Sequence, residues 1–411
     1  MADMKKAESL EVDQARDLIL SRVAPAAGSE QVDLPAALGR VLAADVVSPI
    51  DVPAHDNSAM DGYALRAEDL TRPGEIRLRI AGAAFAGRPY AGQVAPGECV
   101  RIMTGAVLPA GADTVLMQES ASLDGDFVIV PPGQKPGQNT RRRGEDLRAG
   151  GVALAAGKLL RPADIGLLAS LGLGEAPVRR RLRAAVFSTG DEVQALGNAT
   201  QPGQIYDSNR YTLAGMLARL GCEVVDLGIV RDDPAALEAA LSEASSSADA
   251  VITSGGVSVG EADFIRELMA RLGDVAFWKI AMKPGRPMAF GRIGEAALFG
   301  LPGNPVATMV AFYQFVRPAL LKMAGVAPLP VLPAFAARCT EPLRKGRGRT
   351  EFLRGVLSPA DGAWQVRSTG EQGSGILRSM SEANCFIVLE SARGDVAAGD
   401  MVTVQPFEGL V

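Results

Sequence analysis

The chain has 411 residues, 47% of them hydrophobic and 22% charged, and a formal net charge of −5 at pH 7, so we expect several folded domains and no general nucleic-acid binder. Its four cysteines lie far apart and form no CxxC pair, which suggests neither a zinc ribbon nor a disulfide framework and fits a reducing cytoplasm. The single histidine, His55, excludes a multi-histidine metal site and leaves carboxylates, lysines, arginines, hydroxyls and backbone amides, which suit phosphate-bearing substrates and Mg²⁺.

The first part of the chain predicts a surface helix followed by a β-rich region. Apolar residues recur at helical spacing between Val12 and Val23, and the acidic N-terminus is unlike a signal peptide. Around residues 45–135, short β-forming runs are broken by Gly, Pro and Asp turns, which is typical of a β domain. A helix is expected at 162–171, with Pro162 in its first turn. No segment reaches about 20 consecutive apolar residues, so we expect no membrane span.

From about residue 183 onwards, strand-like and helix-like segments alternate, which favours a largely parallel sheet with helices on both faces. Ligands of such sheets bind beyond the carboxyl ends of the strands. The loops expected at that edge are 189–193, 231–234, 253–263 and 301–305. Residues 329–411 return to short strands separated by turns and predict a small terminal β domain.

One of these loops, in the stretch VITSGGVSVGEADF, combines small residues with acids. Gly255, Gly256 and Ser258 allow backbone N–H groups to approach a phosphate. Asp263 is a candidate ligand for Mg²⁺ beside that phosphate, and Glu261 is either a second ligand or a helix cap. The motif is neither a P-loop nor a Rossmann fingerprint. The alternative interpretation is an ordinary glycine turn before a helix.

Acidic residues also follow two neighbouring predicted strands. Asp191 and Glu192 lie in STGDEV, and Asp232 and Asp233 lie in RDDP. Each pair taken alone is explained by helix capping. Because the carboxyl ends of parallel strands meet at one sheet edge, we expect these acids to converge with Asp263 and to bind a divalent cation.

Basic residues and a proline-rich turn supply two further candidate sites. In WKIAMKPGRP, Lys283 lies four positions after Lys279, so strand alternation places both on one face of a strand. That face points either toward an anion or simply toward solvent. The turn at 302–305 precedes a long helix, and it either presents helix N–H groups to a ligand or is a rigid connector.

The β-rich region carries a second set of polar candidates. The stretch DNSAMDGYAL is dense in polar residues, including Asp61, and it either binds a ligand or forms local turns. Thr104 lies in IMTGA, and RRRGED contains Arg141 and Asp146. An arginine run is usually solvated surface, but beside Asp146 it is a candidate contact for a second anionic group.

With these motifs collected, the sequence resembles the molybdopterin molybdenumtransferase family, which includes bacterial MoeA and the E domain of gephyrin. The matching stretches, in family order over nearly the whole chain, are DNSAMDGYAL, IMTGA, RRRGED, STGDE, YDSNRYTL, RDDP, SGGVSVGEADF, FWKIAMKPGRPMAFG and GLPGNPV. The resemblance implies an α/β plus β multidomain fold, in which a three-layer α/β domain with a mostly parallel sheet is flanked by two β-rich domains and an N-terminal extended or helical segment. The expected domains are an N-terminal helix packing on the α/β domain (1–27), a linker domain in two pieces (28–47 with 147–182), an inserted β-rich domain (48–146), the α/β molybdopterin-binding domain (183–328) and a C-terminal β-barrel-like domain (329–411).

The same resemblance implies a cytoplasmic enzyme of molybdenum cofactor biosynthesis. The family inserts molybdate into adenylylated molybdopterin in a Mg²⁺-dependent step that releases AMP. The implied catalytic residues are Asp61, Thr104, Asp146, Glu192, Asp232, Asp263, Lys279 and Lys283. The implied metal ligands among them are Asp263, Asp232 and Glu192. The implied substrate contacts are Ser208, Asn209, Gly255, Gly256, Ser258, Pro302, Gly303, Asn304, Pro305, Arg141, Arg349, Ser379 and Ser381.

The resemblance also implies a homodimer with a shared active site, in which Asp61, Thr104 and Asp146 of one subunit complete the site of the other. Other molybdenum cofactor biosynthesis proteins are possible partners. Two positions depart from the family pattern: His55 stands where a phenylalanine is usual, and Ala307 stands where a serine near molybdate is frequent.

Two other functions fit the same fold, because a fold alone does not determine activity. A non-catalytic molybdopterin-binding or scaffold protein predicts vacant catalytic positions, whereas the acids are all present. A different nucleotide-linked hydrolase would leave the stretch DNSAMDGYAL and the two β domains unexplained.

Overall fold

The computed structural model describes residues 9–71, 75–255, 268 and 271–407. The chain begins with helix α1 (Val12–Arg22), whose apolar side packs into the core of the α/β domain. A capping box closes the start of α1, where the backbone N–H of Glu11 donates to Gln14 Oε1 at 3.1 Å. The next elements are strand β1 (Ser29–Asp33), the short helix α2 (Leu34–Ala37) and strand β2 (Val46–Val47).

The inserted β domain follows. Its elements are β3 (Asn57–Ser58), β4 (Gly62–Leu65), a 3₁₀ helix (Ala67–Thr71), β5 (Ile76–Ala84), β6 (Glu98–Ile102), β7 (Thr114–Met117), a 3₁₀ helix (Gln118–Ser120), β8 (Ser122–Asp124), β9 (Phe127–Val130) and β10 (Thr140–Arg141). Six strands form one sheet in the order β7-β4-β6-β5-β9-β8, and β10 pairs separately with β3. Gly62 is required within this sheet, because a Cβ there would lie 1.9 Å from the backbone oxygen of Leu116.

The chain then returns to pair with its own N-terminal part. The returning elements are β11 (Val152–Leu154), α3 (Pro162–Ser170) and β12 (Glu175–Arg179). Strand β11 pairs antiparallel with β2, and β12 pairs antiparallel with β1. The helix predicted at 162–171 is confirmed, with Pro162 at its first position.

The α/β domain contains the central sheet. Its elements are β13 (Arg183–Thr189), β14 (Val193–Gln194), β15 (Ile205–Tyr206), α4 (Asn209–Arg219), β16 (Glu223–Val230), α5 (Pro234–Ser247), β17 (Ala250–Ser254), β18 (Gly273–Lys279), β19 (Met282–Lys283), β20 (Pro287–Ile293), β21 (Ala296–Leu301), α6 (Pro305–Ala311), a π-helical turn (Phe312–Val316) and α7 (Arg317–Met323). The sheet order is β16-β13-β17-β21-β20-β18, parallel from β16 to β21 and antiparallel beyond it.

Both faces of this sheet are buried, as the near-continuous apolar runs in its strands predict. Val186 and Ile252 face one core, which also contains α1 and the helices after residue 305. Their chain neighbours Phe187 and Val251 face a second core under α5. The sheet therefore lies between two helical layers, and the four parallel strands end at one edge.

The C-terminal domain is a closed β structure. Its elements are β22 (Phe335–Cys339), β23 (Thr350–Ala360), β24 (Ala363–Ser368), α8 (Leu377–Glu382), β25 (Cys385–Leu389) and β26 (Met401–Pro406). The sheet order is β19-β23-β24-β22-β26-β25, and an additional pairing of β23 with β25 closes the barrel. The predicted α/β plus β fold class, with a mostly parallel central sheet, is confirmed. Among the described helices, we find none with the length and apolar character needed to cross a membrane.

Candidate active site

A cavity of about 580 Å³ opens at the carboxyl edge of the central sheet. Its walls come from the ends of β13 and β17, the β14–β15 pair, the start of α4, the turn after β21 and a loop of the C-terminal domain. The residues that line it are Ser188, Thr189, Glu192, Val193, Ile205, Tyr206, Asp207, Ser208, Asn209, Ser254, Gly303, Asn304, Pro305, Gly375 and Leu377. Switch-point cavities of this kind are where open α/β sheets bind ligands.

Asn209 joins three parts of the cavity wall. Its side-chain amide donates to Ser254 Oγ and to the backbone oxygen of Gly303, each at 2.6 Å. One residue at the start of α4 therefore holds the end of β17 and the proline-rich turn in register.

Asp207 supports the cavity wall through hydrogen bonds. It was not among the predicted site residues. Its buried carboxylate accepts hydrogen bonds from Ser188 Oγ at 2.9 Å and from the backbone and Nε of Arg210 at 3.2 and 2.8 Å. Ser208 is the N-cap residue of α4, but its hydroxyl makes no capping bond. Asp207 thus caps the helix, and Ser208 is one of the residues that line the cavity.

Gly255 directly follows β17, in a position that only glycine fits. Its φ is +98°, and a Cβ there would lie 2.4 Å from the backbone oxygen of Thr189. Its N–H donates to the oxygen of Leu301 at 3.2 Å, so this amide is used within the protein. The predicted phosphate and metal residues Gly256, Ser258 and Asp263, with Glu261, lie outside the described residues.

The predicted acids divide into cavity residues and a helix cap. Glu192 lines the cavity and folds back over Gly190, where a Cβ would lie 2.6 Å from its Oε2. Asp232 accepts a hydrogen bond from the hydroxyl of Thr189 at the end of β13. Asp233 instead caps α5, accepting from the N–H of Ala235 at 3.0 Å. Within residues 9–71, 75–255, 268 and 271–407, no three acidic, histidine or cysteine side chains converge to form a metal site.

The turn at 302–305 begins helix α6 with Asn304 as its N-cap and Pro305 as its first residue. The hydroxyl of Thr308 fixes the turn by donating to the oxygen of Pro302 at 2.6 Å. The N–H of Val306 is taken by the oxygen of Ser374, at 3.1 Å, from the C-terminal domain. The helix start is therefore partly satisfied by the protein itself, so the turn is in part the rigid connector that the sequence left open as an alternative.

The prediction that Lys279 and Lys283 share one strand face is wrong. Lys279 ends β18 in the central sheet, whereas Lys283 lies in β19, which pairs with β23 of the C-terminal domain. Alternation holds only while residues remain in one ladder, and here the chain leaves the sheet at Ile280, whose N–H bonds back to the oxygen of Arg286 at 2.8 Å.

Lys283 belongs to a basic cluster around Glu351. The ammonium of half-exposed Lys283 lies 3.3 Å from the carboxylate of Glu351, which is buried. Burial lowers the pKa of the neighbouring Lys345, Glu351 opposes this shift, and the charges of Arg347, Arg349 and Lys283 lower that pKa further. Positive charge therefore exceeds negative charge in this cluster, a property that suits an anionic ligand.

Two serines of helix α8 differ in their surroundings. Ser381 is exposed. Ser379 is buried, its hydroxyl donating to the oxygen of Ile376 at 2.6 Å and accepting from Arg354 Nε at 2.9 Å. Ser379 therefore has its hydroxyl proton committed to the protein, which leaves it unsuited to donate to an oxyanion.

In the β domain, Asp61 and Thr104 form one unit. Asp61 Oδ1 accepts from the backbone N–H and from the hydroxyl of Thr104, both at 2.7 Å. These two bonds lower the pKa of Asp61 and keep it ionised. Arg141, on β10, and Asp146 are both exposed. The described residues that line the cavity lie between 188 and 377. The candidate residues of the β domain are therefore not among those that line the cavity in a single subunit.

The resemblance implied substrate contacts from Arg349, Ser379 and Ser381 of the C-terminal domain, but sequence reasoning missed the two residues of that domain that line the cavity. Gly375 and Leu377 line it, although they are more than sixty residues beyond the last predicted cavity loop. No local pattern in this stretch marks a cavity wall, because its role arises only from the contact of Ser374 with the start of α6.

Comparison with known proteins identifies relatives along the full length of the chain. A Haemophilus influenzae protein named molybdopterin molybdenumtransferase is 46% identical over 404 residues, covering 98% of this chain and 100% of the relative. A Nostoc relative of the same name is 38% identical over 385 residues, covering 92% of this chain and 88% of the relative. The crystal structure of the molybdopterin biosynthesis moeA protein from Pyrococcus horikoshii OT3 matches with a TM-score of 0.84 at 29% identity, covering 97% and 100% of the two chains.

Family models match three successive regions. These are the MoeA N-terminal region (domain I and II) over residues 10–172, a "probable molybdopterin binding domain" over 185–322, and the MoeA C-terminal region (domain IV) over 336–407. The middle match covers the domain that carries most of the cavity lining. With full-length relatives at this level of identity, the chain belongs to the MoeA family.

Proposed function

We propose that this protein is a molybdopterin molybdenumtransferase, which inserts molybdate into adenylylated molybdopterin and releases AMP. Family membership supports the reaction class. The observation that carries the proposal is the cavity at the carboxyl edge, whose lining combines Ser208 and the turn at 303–305 with Glu192. A pyrophosphate-bearing substrate with Mg²⁺ requires this combination of donors and carboxylates.

The donor set at the sheet edge fits a hard divalent cation. Glu192 and Asp232 supply carboxylate oxygens at neighbouring strand ends, and Asp263, outside the described residues, is the third proposed ligand. When bound, Mg²⁺ would offset the negative charge of the pyrophosphate linkage. The hydroxyl of Thr189 holds the Asp232 carboxylate in a fixed orientation toward that edge.

Substrate phosphates are proposed to contact the opposite wall. Ser208, Asn209 and the turn formed by Pro302, Gly303, Asn304 and Pro305 are the proposed contacts, together with the loop at Gly255, Gly256 and Ser258. Among the described residues, none accepts a hydrogen bond from the N–H groups of Gly303 and Asn304. Backbone amides of this kind bind phosphate oxygens well, since they supply donors at a fixed spacing.

Molybdate is proposed to bind at the basic cluster around Glu351, through Lys283 and Arg349. Lys279 and Ser381 are further candidate contacts for molybdate. The net positive charge of this cluster supports an oxyanion ligand. Charge-assisted hydrogen bonds from ammonium and guanidinium groups are short and strong. Ser379 is left out, since its hydroxyl is buried and already bonded.

A homodimer is proposed to complete the site. In this arrangement Asp61, Thr104, Asp146 and Arg141 of one subunit face the cavity of the other. Two observations support it: the described residues that line the cavity all lie between 188 and 377, and Asp61 and Thr104 are bonded to each other in the β domain, apart from that lining. A cytoplasmic location is also proposed, supported by the free state of Cys99, Cys222, Cys339 and Cys385.

Replacing Lys283 with glutamine tests the oxyanion site. Loss of one cation should raise the KM for molybdate about 10-fold or more, because a charge-assisted bond is worth roughly 1.5–3 kcal/mol. The KM for adenylylated molybdopterin should change little. The matched control is Lys135→Gln, which removes an exposed lysine of the β domain. An unchanged molybdate KM in Lys283→Gln would remove this residue from the proposed site.

A further inference from the structure

Tyr206 is an exposed aromatic residue at the wall of the cavity. It lies on strand β15, which pairs with β14 in a two-stranded sheet, and 48% of its surface is exposed. Among the described residues that line the cavity, it is the only aromatic one. Aromatic side chains gain stability from burial, so an exposed tyrosine at a cavity wall offers apolar surface that a ligand can cover.

The exposed apolar surface at Tyr206 extends to its neighbours. Ile205, the preceding residue, is 58% exposed and also lines the cavity, as does Val193, its register partner on β14. Apart from Leu377 and Pro305, the other described residues of the lining are polar or glycine. The apolar part of the cavity is therefore concentrated on the β14–β15 pair, and contiguous exposed apolar surface of this kind marks a binding site more often than a single exposed residue does.

The side chain of Tyr206 is held in place by a hydrogen bond that leaves its ring available. Its hydroxyl donates to the backbone oxygen of Asn198 at 2.9 Å, and Asn198 is not among the described residues of the lining. The backbone is fixed as well, since the N–H of Ile205 donates to the oxygen of Glu192 at 2.8 Å. A tyrosine has few rotatable bonds, so a ring anchored at its hydroxyl loses little conformational entropy when a ligand covers it.

Tyr206 lies close in the chain to the proposed contacts for substrate phosphates. Ser208 and Asn209 follow within three residues, and both line the same cavity. A ligand that combines a planar ring with phosphate groups matches an apolar strand pair beside these polar residues. Stacking of a flat ring on an aromatic side chain tolerates different ring chemistries, because each heteroaromatic ring has a π-face.

We propose that Tyr206 is a substrate-binding residue that stacks on a planar heteroaromatic ring of the substrate. The inference rests on the proposed function, whose substrate contains two such rings, the adenine of its nucleotide half and its pterin. Both rings offer the same π-face to a tyrosine. Stacking stabilises the bound substrate and the transition state equally, so it acts on KM rather than on kcat.

Tyr206→Leu removes the ring and keeps an apolar side chain. The KM for adenylylated molybdopterin should rise about 10-fold with kcat little changed, because loss of one stacked ring weakens binding by roughly this factor. Tyr206→Phe keeps the ring and loses only the bond to Asn198, so its KM should rise less. The matched control is Trp364→Leu, which removes an aromatic residue that is 47% exposed on β24, outside the described lining. An unchanged KM in Tyr206→Leu would overturn the proposal.

The Tyr206→Trp variant reports ring contact without turnover, because stacking on a heteroaromatic ring quenches indole fluorescence. It is titrated with AMP and, in the absence of molybdate, with adenylylated molybdopterin. The wild-type protein, whose two tryptophans are Trp278 and Trp364, supplies the background. Quenching by both ligands assigns the stacked ring to adenine, and quenching by adenylylated molybdopterin alone assigns it to the pterin. Quenching by neither ligand would overturn the stacking role.

A contact with the β domain of a second copy is the competing explanation for the exposure of Tyr206. It predicts that Tyr206→Leu weakens the proposed dimer, which light scattering over a range of protein concentrations measures. A weaker dimer with a normal KM and no quenching in Tyr206→Trp would overturn the proposal in favour of an interface residue. Absence of AMP release from wild type would instead contradict the proposed function, and the two fluorescence titrations would still decide whether position 206 stacks on a ring.

Discussion

An Asn209→Asp variant is expected to lose about 10-fold in kcat/KM for AMP release while remaining folded, because the hydrogen bonds of the wild-type amide contribute about 0.5–1.5 kcal/mol each to holding the cavity wall. The wild-type amide donates to both Ser254 Oγ and the oxygen of Gly303. An ionised carboxylate of almost the same shape has no proton to donate. The hydroxyl of Ser254 can rotate to donate instead, but the oxygen of Gly303 is left facing a negative charge. The turn should therefore move away from α4 and disturb the cavity.

Asn198→Asp is the matched control, since it makes the same chemical change on an exposed side chain before β15. Steady-state kinetics on both variants, with circular dichroism to compare their folded state, measure the effect. Equal activity of the two variants would show that the bond between α4 and the turn has no part in catalysis.

Mixed dimers of two inactive variants are expected to regain activity. Asp61→Asn and Asp232→Asn should each lose about 100-fold or more, since each removes a charge from the proposed site. If the site is shared, the hybrid dimer has one intact site and one doubly altered site. Hybrid dimers of a two-fold symmetric protein should therefore regain about half of the wild-type activity once they are separated from both parents.

The measurement uses two affinity tags on co-expressed chains, so that hybrid dimers are purified away from both parents. A dimer in which each subunit uses its own β domain would show no recovery, because every site would keep one altered residue. The control is a hybrid of Asp124→Asn with Asp232→Asn. Asp124 is an exposed residue of the same domain as Asp61. Its loss should leave sites active without complementation.

The fold class could be predicted because the pattern of apolar residues in each strand and helix is a local property of the sequence. Val186, Phe187, Val251 and Ile252 are all apolar, and a strand buried on both faces requires such a run. The loops at the carboxyl edge were predicted from the same alternation, and Glu192, Gly303 and Asn304 of those loops do line the cavity found there.

Other features depend on contacts between residues that are far apart in the chain. No local sequence pattern predicts such contacts. Lys283 leaves the central sheet because β19 pairs with β23, almost seventy residues further along the chain. The cavity wall at Gly375 depends on a bond between residues 306 and 374. The commitment of Ser379 to Arg354 likewise depends on the packing of α8 against β23. Sequence reasoning could propose chemical groups at these positions, but it could not assign their neighbours.

The most direct test of the proposed function is AMP release from adenylylated molybdopterin by the purified protein, followed with and without molybdate and Mg²⁺. Release that requires both Mg²⁺ and molybdate, and that falls in Asn209→Asp, is the result we expect. Absence of molybdate-dependent AMP release from the folded wild-type protein would contradict the account and favour a molybdopterin-binding scaffold without turnover.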